Sequence, residues 1–139
     1  MKYLLDTNTV SALMRGRAAV HRRMAAVSRS DVFVCQPTLA EIAYGIARLP
    51  HSKRKAWLLD SHSLIVSTLQ RSEWTAEVSI AFGKTKAALE KRGDHIEDFD
   101  VAIAAHALAE GAVLVTMDRR HMPRVPGLTV EDWSDPDHG

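Results

Sequence analysis

Two aspartates are set apart by what precedes them. Asp6 closes the apolar run "KYLLD", and Asp118 closes "VLVTMD". Runs this short, apolar and rich in β-branched residues read as buried strands. A carboxylate at such a strand's end is either a helix cap or a ligand. Two further acids join them. Asp100 falls in the first turn of the alanine-rich helix expected for "EDFDVAIAAHALAEGA", and Glu41 sits among apolar neighbours in "LAEIAYG". If the strands ending in Asp6 and Asp118 are neighbours, four carboxylates from four elements converge on one cleft. Such a cluster repels itself when empty, and a bound divalent cation removes the conflict. Oxygen ligands without His or Cys favour Mg²⁺, with Mn²⁺ as substitute. Sites of this kind act on phosphates, the metal activating water and neutralising phosphoryl charge. A lone Asp in a first helical turn is ordinarily a cap or a dipole partner. That ordinary role covers Asp98 well and Asp100 tolerably, but not Asp6, Asp118 or Glu41.

The elements that must position these acids follow from the same patterning. "NTVSALMRG" reads as a helix capped by Asn8 or Thr9 and stopped by Gly16. "RAAVHRRMAAVSRS" is a second helix and "VFVC" a second strand. "PTLAEIAYGIARLP" is a helix opened by Pro37, with Ala40, Ala43, Tyr44 and Ala47 on one face. "SKRKAWLLDSHSL" is helical, and "IVST" is expected as a short third strand. A long helix follows, capped by Ser72 and closed by Gly93; "LTVEDW" is the last strand, and "DWSDPDHG" a polar tail. Helices alternating with buried strands predict a mostly parallel sheet covered on both faces, and therefore an α/β/α sandwich. Open sheets of that kind bind ligands at the carboxyl ends of their strands.

The length of 139 residues fits one domain, 1–139, with the polar tail beginning at about 134. No apolar stretch approaches the ~20 residues of a membrane span, and Asp6 cuts the N-terminal apolar run too early for a secretory signal. With the single cysteine, Cys35, excluding an internal disulfide, a cytoplasmic protein is expected. The formal net charge is +1. Setting aside the four acids, which contribute −4, leaves +5, so the body outside the cleft is basic. Its cations cluster at Arg15, Arg17, Arg22 and Arg23, at Lys53, Arg54 and Lys55, and at Arg119, Arg120 and Arg124. Such clusters suit a phosphate backbone. Arg119 and Arg120, directly after Asp118, are the expected substrate contacts; Lys53 to Lys55 read as a solvated helix face. No histidine pair has metal-ligand spacing, and His121 alone lies near the expected rim. Trp57, Trp74 and Trp133 read as packing or interface residues.

"LLDTNTVSALMRG", "QPTLAEIAYGI", "DVAIAAHALAEGAVLVTMD" and "RVPGLTVEDW" together resemble the PIN domain of VapC-type toxins. The resemblance covers nearly the whole chain and is weakest from His51 to Arg71. It implies an RNase H-like α/β/α sandwich and a Mg²⁺-dependent endoribonuclease. It also implies a homodimer, held inactive by a small antitoxin protein. Carried over by position, the family's catalytic acids are Asp6, Glu41, Asp100 and Asp118, with Asn8 and Thr116 as supporting polar residues and Asp98 less constant. In the implied mechanism Asp6, Asp100 and Asp118 bind the metal, while Glu41 ligates too or orients the attacking water. Water rather than the RNA 2′-hydroxyl attacks, so the products carry 5′-phosphate and 3′-hydroxyl ends. Thr7 reads equally as simple turn chemistry or as a supporting residue. A groove for the antitoxin is expected between the first two helices and the Pro37 helix, near Leu13, Met14, Val20 and Ile46.

Three other readings compete. "DTNTV" nearly matches the DxDx[TV] of haloacid-dehalogenase-like phosphatases, but the second acid of that motif is here Asn8, which cannot deliver a proton. A receiver domain would need an acceptor Asp after its middle strand and a Lys after its last, and neither is evident. A catalytically inactive RNA-binding scaffold would not need all four acids.

Overall fold

The computed structural model describes residues 1–135. In chain order it runs β1 (Tyr3–Leu5), α1 (Thr7–Met14), α2 (Ala18–Ala26), β2 (Val32–Cys35), α3 (Gln36–Ala47), α4 (Lys53–Thr68), β3 (Gln70–Ser72), α5 (Ala76–Lys91), α6 (Asp98–Glu110), β4 (Val113–Val115) and β5 (Val130–Glu131). The strands form one sheet in the order β3-β2-β1-β4-β5, and every pairing is parallel. From β1 the chain first builds outward through β2 to β3, then returns to the other side of β1 for β4 and β5. The strand order therefore reverses between β1 and β4, which is where an open parallel sheet leaves a crevice at its carboxyl edge.

Strand alternation sorts the core into two layers. Leu5, Val34 and Val115 face one cluster, to which α1, α2 and α3 add Val10, Val20, Met24 and Ile42. Leu4, Cys35 and Leu114 face the other, filled from α5 and α6 by Leu89, Val101, Ile103 and Ala104. Val101 to Ala107 of α6 are all buried, so this helix has no solvent stripe at its centre. Its alanines allow close approach to both α5 and the sheet. Gly111 then ends it in the left-handed conformation, φ 63°, a turn that a side chain would strain. No helix among the described residues is long and apolar enough to cross a membrane.

Several local expectations are corrected. Asp6, not Asn8 or Thr9, caps α1, accepting the Thr7 N–H at 2.8 Å. "IVST" is the last turn of α4 rather than a strand, and the third strand is the polar Gln70–Ser72. Ser72 lies within that strand, and α5 is capped by Thr75, whose hydroxyl accepts the Val78 N–H. Leu13, Met14, Val20 and Ile46 are buried in the core rather than forming one open groove. Met14 and Ile46 do reach a groove between α1, α3 and α4, and Leu13 reaches a second between α2 and α4. Val20 is wholly buried. Trp133, just before the expected tail, is buried, and Ser134 and Asp135 are partly buried; residues 136–139 of the expected tail lie outside the described residues.

Candidate active site

The backbone joins β1 and β4 at the crevice: the Asp6 N–H donates to the Val115 carbonyl at 2.9 Å. Asp6 thus leaves the sheet beside β4 and starts α1 at once. One carboxylate oxygen accepts the Thr7 N–H, and the other accepts the Thr116 hydroxyl at 2.7 Å. Thr116 is equally occupied on its other side. Its Oγ1 accepts the Asp118 N–H at 3.0 Å and the Asn8 Nδ2 at 3.4 Å. Asn8 also accepts the Met117 N–H at 3.1 Å, and the Thr9 hydroxyl donates to the Val115 carbonyl at 2.8 Å. The first turn of α1 is therefore sewn to the end of β4, and Asp6 is held within that seam.

The other acids come from separate elements. Asp118 stands three residues past β4. Its Oδ1 accepts the N–H groups of Arg120 and His121 at 2.9 and 2.8 Å, and its Oδ2 meets His121 Nδ1 at 3.2 Å. Burial pushes the Asp118 carboxyl up, but these donors outweigh it and hold the group below the usual carboxylate range. Glu41, on α3, accepts the Thr7 hydroxyl at 2.6 Å. Asp100, in the first turn of α6, has its carboxyl pushed up to about 6, first by burial and then by the negative charges of Asp6, Glu41 and Asp118. Asp6 is likewise raised, chiefly by burial, with Glu41 and Asp118 adding to it against the Thr116 and Thr7 hydrogen bonds. The four acids thus share one electrostatic neighbourhood. No three of them close around a single point among the described residues. Glu41 and Asp118 each have hydrogen-bond partners of their own.

The donor set fits a hard cation. The four acids offer oxygen only, and their excess negative charge is what such an ion would neutralise. Asp98 stands apart from them: it is exposed and pairs with Lys86 of α5 at 3.0 Å. Arg119 is also engaged elsewhere, donating to Asp132 at 3.0 and 3.2 Å and to Asp135 at 3.2 Å. Arg120 is exposed beside Asp118. The sequence reading missed the Thr7 hydroxyl, which reaches Glu41 across 34 positions of chain. Its place directly after the capping acid was the available signal. His121, singled out as near the rim, does contact Asp118.

The chain matches the PIN domain family over residues 3–128. It is 28% identical to the tRNA(fMet)-specific endonuclease VapC of Salmonella typhimurium, covering 96% of this chain and 98% of that one. It is 31% identical to Ribonuclease VapC2 of Haemophilus influenzae, again over 96% and 98%. Among solved structures it resembles VapBC2 of Rickettsia felis bound to a DNA fragment from its promoter. The TM-score there is 0.86 and the identity 27%, over 96% of this chain and 99% of that one.

Proposed function

This chain belongs to the PIN-domain family, and from that premise we propose that it is an endoribonuclease acting as the toxin of a type II toxin–antitoxin pair. The observation that carries the reading is the gathering of four acids from separate elements at the switch point between β1 and β4: Thr116 links Asp6 to the Asp118 backbone, Thr7 links Glu41 to the same turn, and Asp100 feels the charge of all three. The VapC relatives, named as ribonucleases over nearly the same length, support it. The phosphatase alternative loses support, since Asn8 is committed to Met117 and Thr116 and carries no acidic proton.

Asp6, Asp100 and Asp118 would hold Mg²⁺, with Mn²⁺ as substitute. When bound, such an ion lowers the pKa of a coordinated water and neutralises charge building at phosphorus. The residues of the chain do the rest. Thr116 and Thr7 fix the two carboxylate oxygens of Asp6 and Asn8 locks the seam beneath them, so the ligands keep their orientation. Glu41, steadied by the Thr7 hydroxyl, orients the attacking water and accepts its proton. Arg120, exposed beside Asp118, would meet a phosphate flanking the scissile one. Attack by water leaves 5′-phosphate and 3′-hydroxyl ends.

A small antitoxin covers the open cleft, as the likeness to a VapBC structure supports. Two copies of the chain pair through apolar side chains left exposed, among them Tyr44, Ile80 and Phe99. The cytoplasm is the compartment where its RNA substrate is met. The test is growth. Expressed without its neighbouring gene, the wild type arrests growth and Asp6→Asn does not, and the co-expressed neighbour restores growth. Equal growth of both strains, with soluble and abundant wild type, would refute the toxin reading.

A further inference from the structure

A groove of about 340 Å³ opens from the acidic crevice and runs between α1, α3 and α4. Thr7 and Glu41 line its inner end, so it is continuous with the carboxylates. Arg15, just past the end of α1, lies eight residues from Thr7, which is about 12 Å along a helix. Arg48 follows the end of α3, and Arg54 lies in the first turn of α4. All three arginines line the groove, over a floor that includes Met14, Ile42 and Ile46. Arg48 lies 5.8 Å from the Tyr44 ring centre, a contact that steadies the guanidinium without neutralising it. Arg15 and Arg54 make no ion pair among the described residues. Several arginines elsewhere are already committed: Arg119 to Asp132 and Asp135, Arg92 and Arg124 to Asp94, and Arg23 to Glu131.

We infer that this groove is the path of the substrate strand on one side of the scissile phosphate, with Arg15, Arg48 and Arg54 holding the backbone of single-stranded RNA. The inference rests on the ribonuclease reading above and assigns the groove that the active site uses. Charge complementarity and continuity carry it. A phosphodiester strand whose scissile group sits at the carboxylates must leave them in some direction, and this groove offers unneutralised cations directly beyond Glu41. The apolar floor suits a splayed base, and recognition of that kind requires an unpaired strand. Arg54 falls within the Lys53–Lys55 cluster that the sequence alone gave no reason to separate from a solvated helix face; the fold turns it into the groove.

The test uses a fluorescein-labelled single-stranded RNA of mixed sequence. Binding is read by anisotropy in the cleavage-deficient Asp6→Asn protein, and cleavage in the wild-type background. Arg15→Gln, Arg48→Gln and Arg54→Gln should each weaken binding severalfold, up to about 10-fold, and make the slope of log K against log salt shallower by about 0.7. In the cleaving background they should raise KM and leave kcat near wild type. Lys84→Gln, on α5 in the opposite layer, removes the same charge and should change neither. The same RNA annealed into a duplex should bind more weakly than the single strand. If wild type cleaves but the three variants bind and cleave as it does, with an unchanged salt slope, the groove assignment is overturned while the ribonuclease reading stands. Variants that bind RNA normally yet lose the complex with the neighbouring gene's product would give the groove to a peptide partner and also overturn it. Wild type that cleaves no RNA would instead fail the underlying reading.

Discussion

The Thr116 hydroxyl donates to Asp6 at 2.7 Å while accepting the Asp118 N–H at 3.0 Å, so one side chain sets the positions of two acids from neighbouring strands. Thr116 is 3% exposed, and water cannot readily replace it. Thr116→Val keeps the shape but deprives buried Asp6 of a donor, pushing its carboxyl further up. We expect a loss of about 1–3 kcal/mol in denaturant unfolding and a fall in single-turnover RNA cleavage of about 10–100-fold. Thr116→Ser should recover most of both. Full activity in the valine variant would show that the hydroxyl does not orient the acids.

The helix α6 carries two acids in its first turn, and the structure separates them. Asp100 senses the crevice, whereas Asp98 pairs with Lys86 on the helix behind it. Asp100→Asn should nearly abolish cleavage and Asp98→Asn should leave it within about twofold, an exposed pair being worth little. In chelator, Asp100→Asn should also melt at a higher temperature than wild type, because one repelling charge has gone. Equal damage from both variants would reverse the assignment on this helix.

Much of this was legible from residue order. The strands leading to Asp6 and Asp118 could be read because a buried parallel strand has no polar alternation to blur it, although β4 ends at Val115, three residues before the acid expected to close it. The edge strand β3 could not be read. Gln70 and Arg71 reach solvent at the sheet's margin, so "QRS" carries no apolar signature, while the β-branched "IVST" beside it belongs to α4. The capping role of Asp6 was legible only as an alternative to a ligand role; the structure shows it capping α1 from within the acid cluster. Pairings such as Thr7 with Glu41, or Arg119 with Asp132, join distant positions and depend on how loops turn. Nothing local encodes them.

Acid should weaken the fold through His106. Its ring is 1% exposed, with Nδ1 at 2.9 Å from the Ser72 hydroxyl and the Trp74 ring edge-on at 5.4 Å. Burial holds its pKa below the ordinary value near 6.5, against the opposing pull of Glu110 and Glu73. Below pH 6.5 the unfolded chain therefore binds more protons than the folded one. The contribution of His106 to stability falls as pH drops through 6.5, and continues to fall until the folded imidazole also titrates. The raised carboxyl of Asp100 acts in the opposite sense over this range, so the readout is the difference: from pH 8 to pH 5 the unfolding free energy of wild type should fall relative to that of His106→Asn. Parallel curves would mean that His106 is not the group responsible.

Trp133 closes the bottom of the first core layer. It packs 5.3 Å from the Tyr3 ring, donates to Glu131 at 3.1 Å, and lies under the Arg23 guanidinium at 5.5 Å. Trp133→Ala should cost about 3–5 kcal/mol in unfolding. Trp57, half exposed on α4, should cost about 0.5 kcal/mol or less on the same change. Similar losses at the two positions would contradict the burial that separates them.

The most direct measurement is RNA cleavage by the purified chain with and without divalent metal, followed by identification of the product ends. Cleavage is expected in Mg²⁺ or Mn²⁺, none in EDTA, recovery when Mg²⁺ is restored, and products bearing 5′-phosphate and 3′-hydroxyl groups. Undiminished cleavage in EDTA, or products ending in a 2′,3′-cyclic phosphate, would contradict a carboxylate centre that works through metal-activated water.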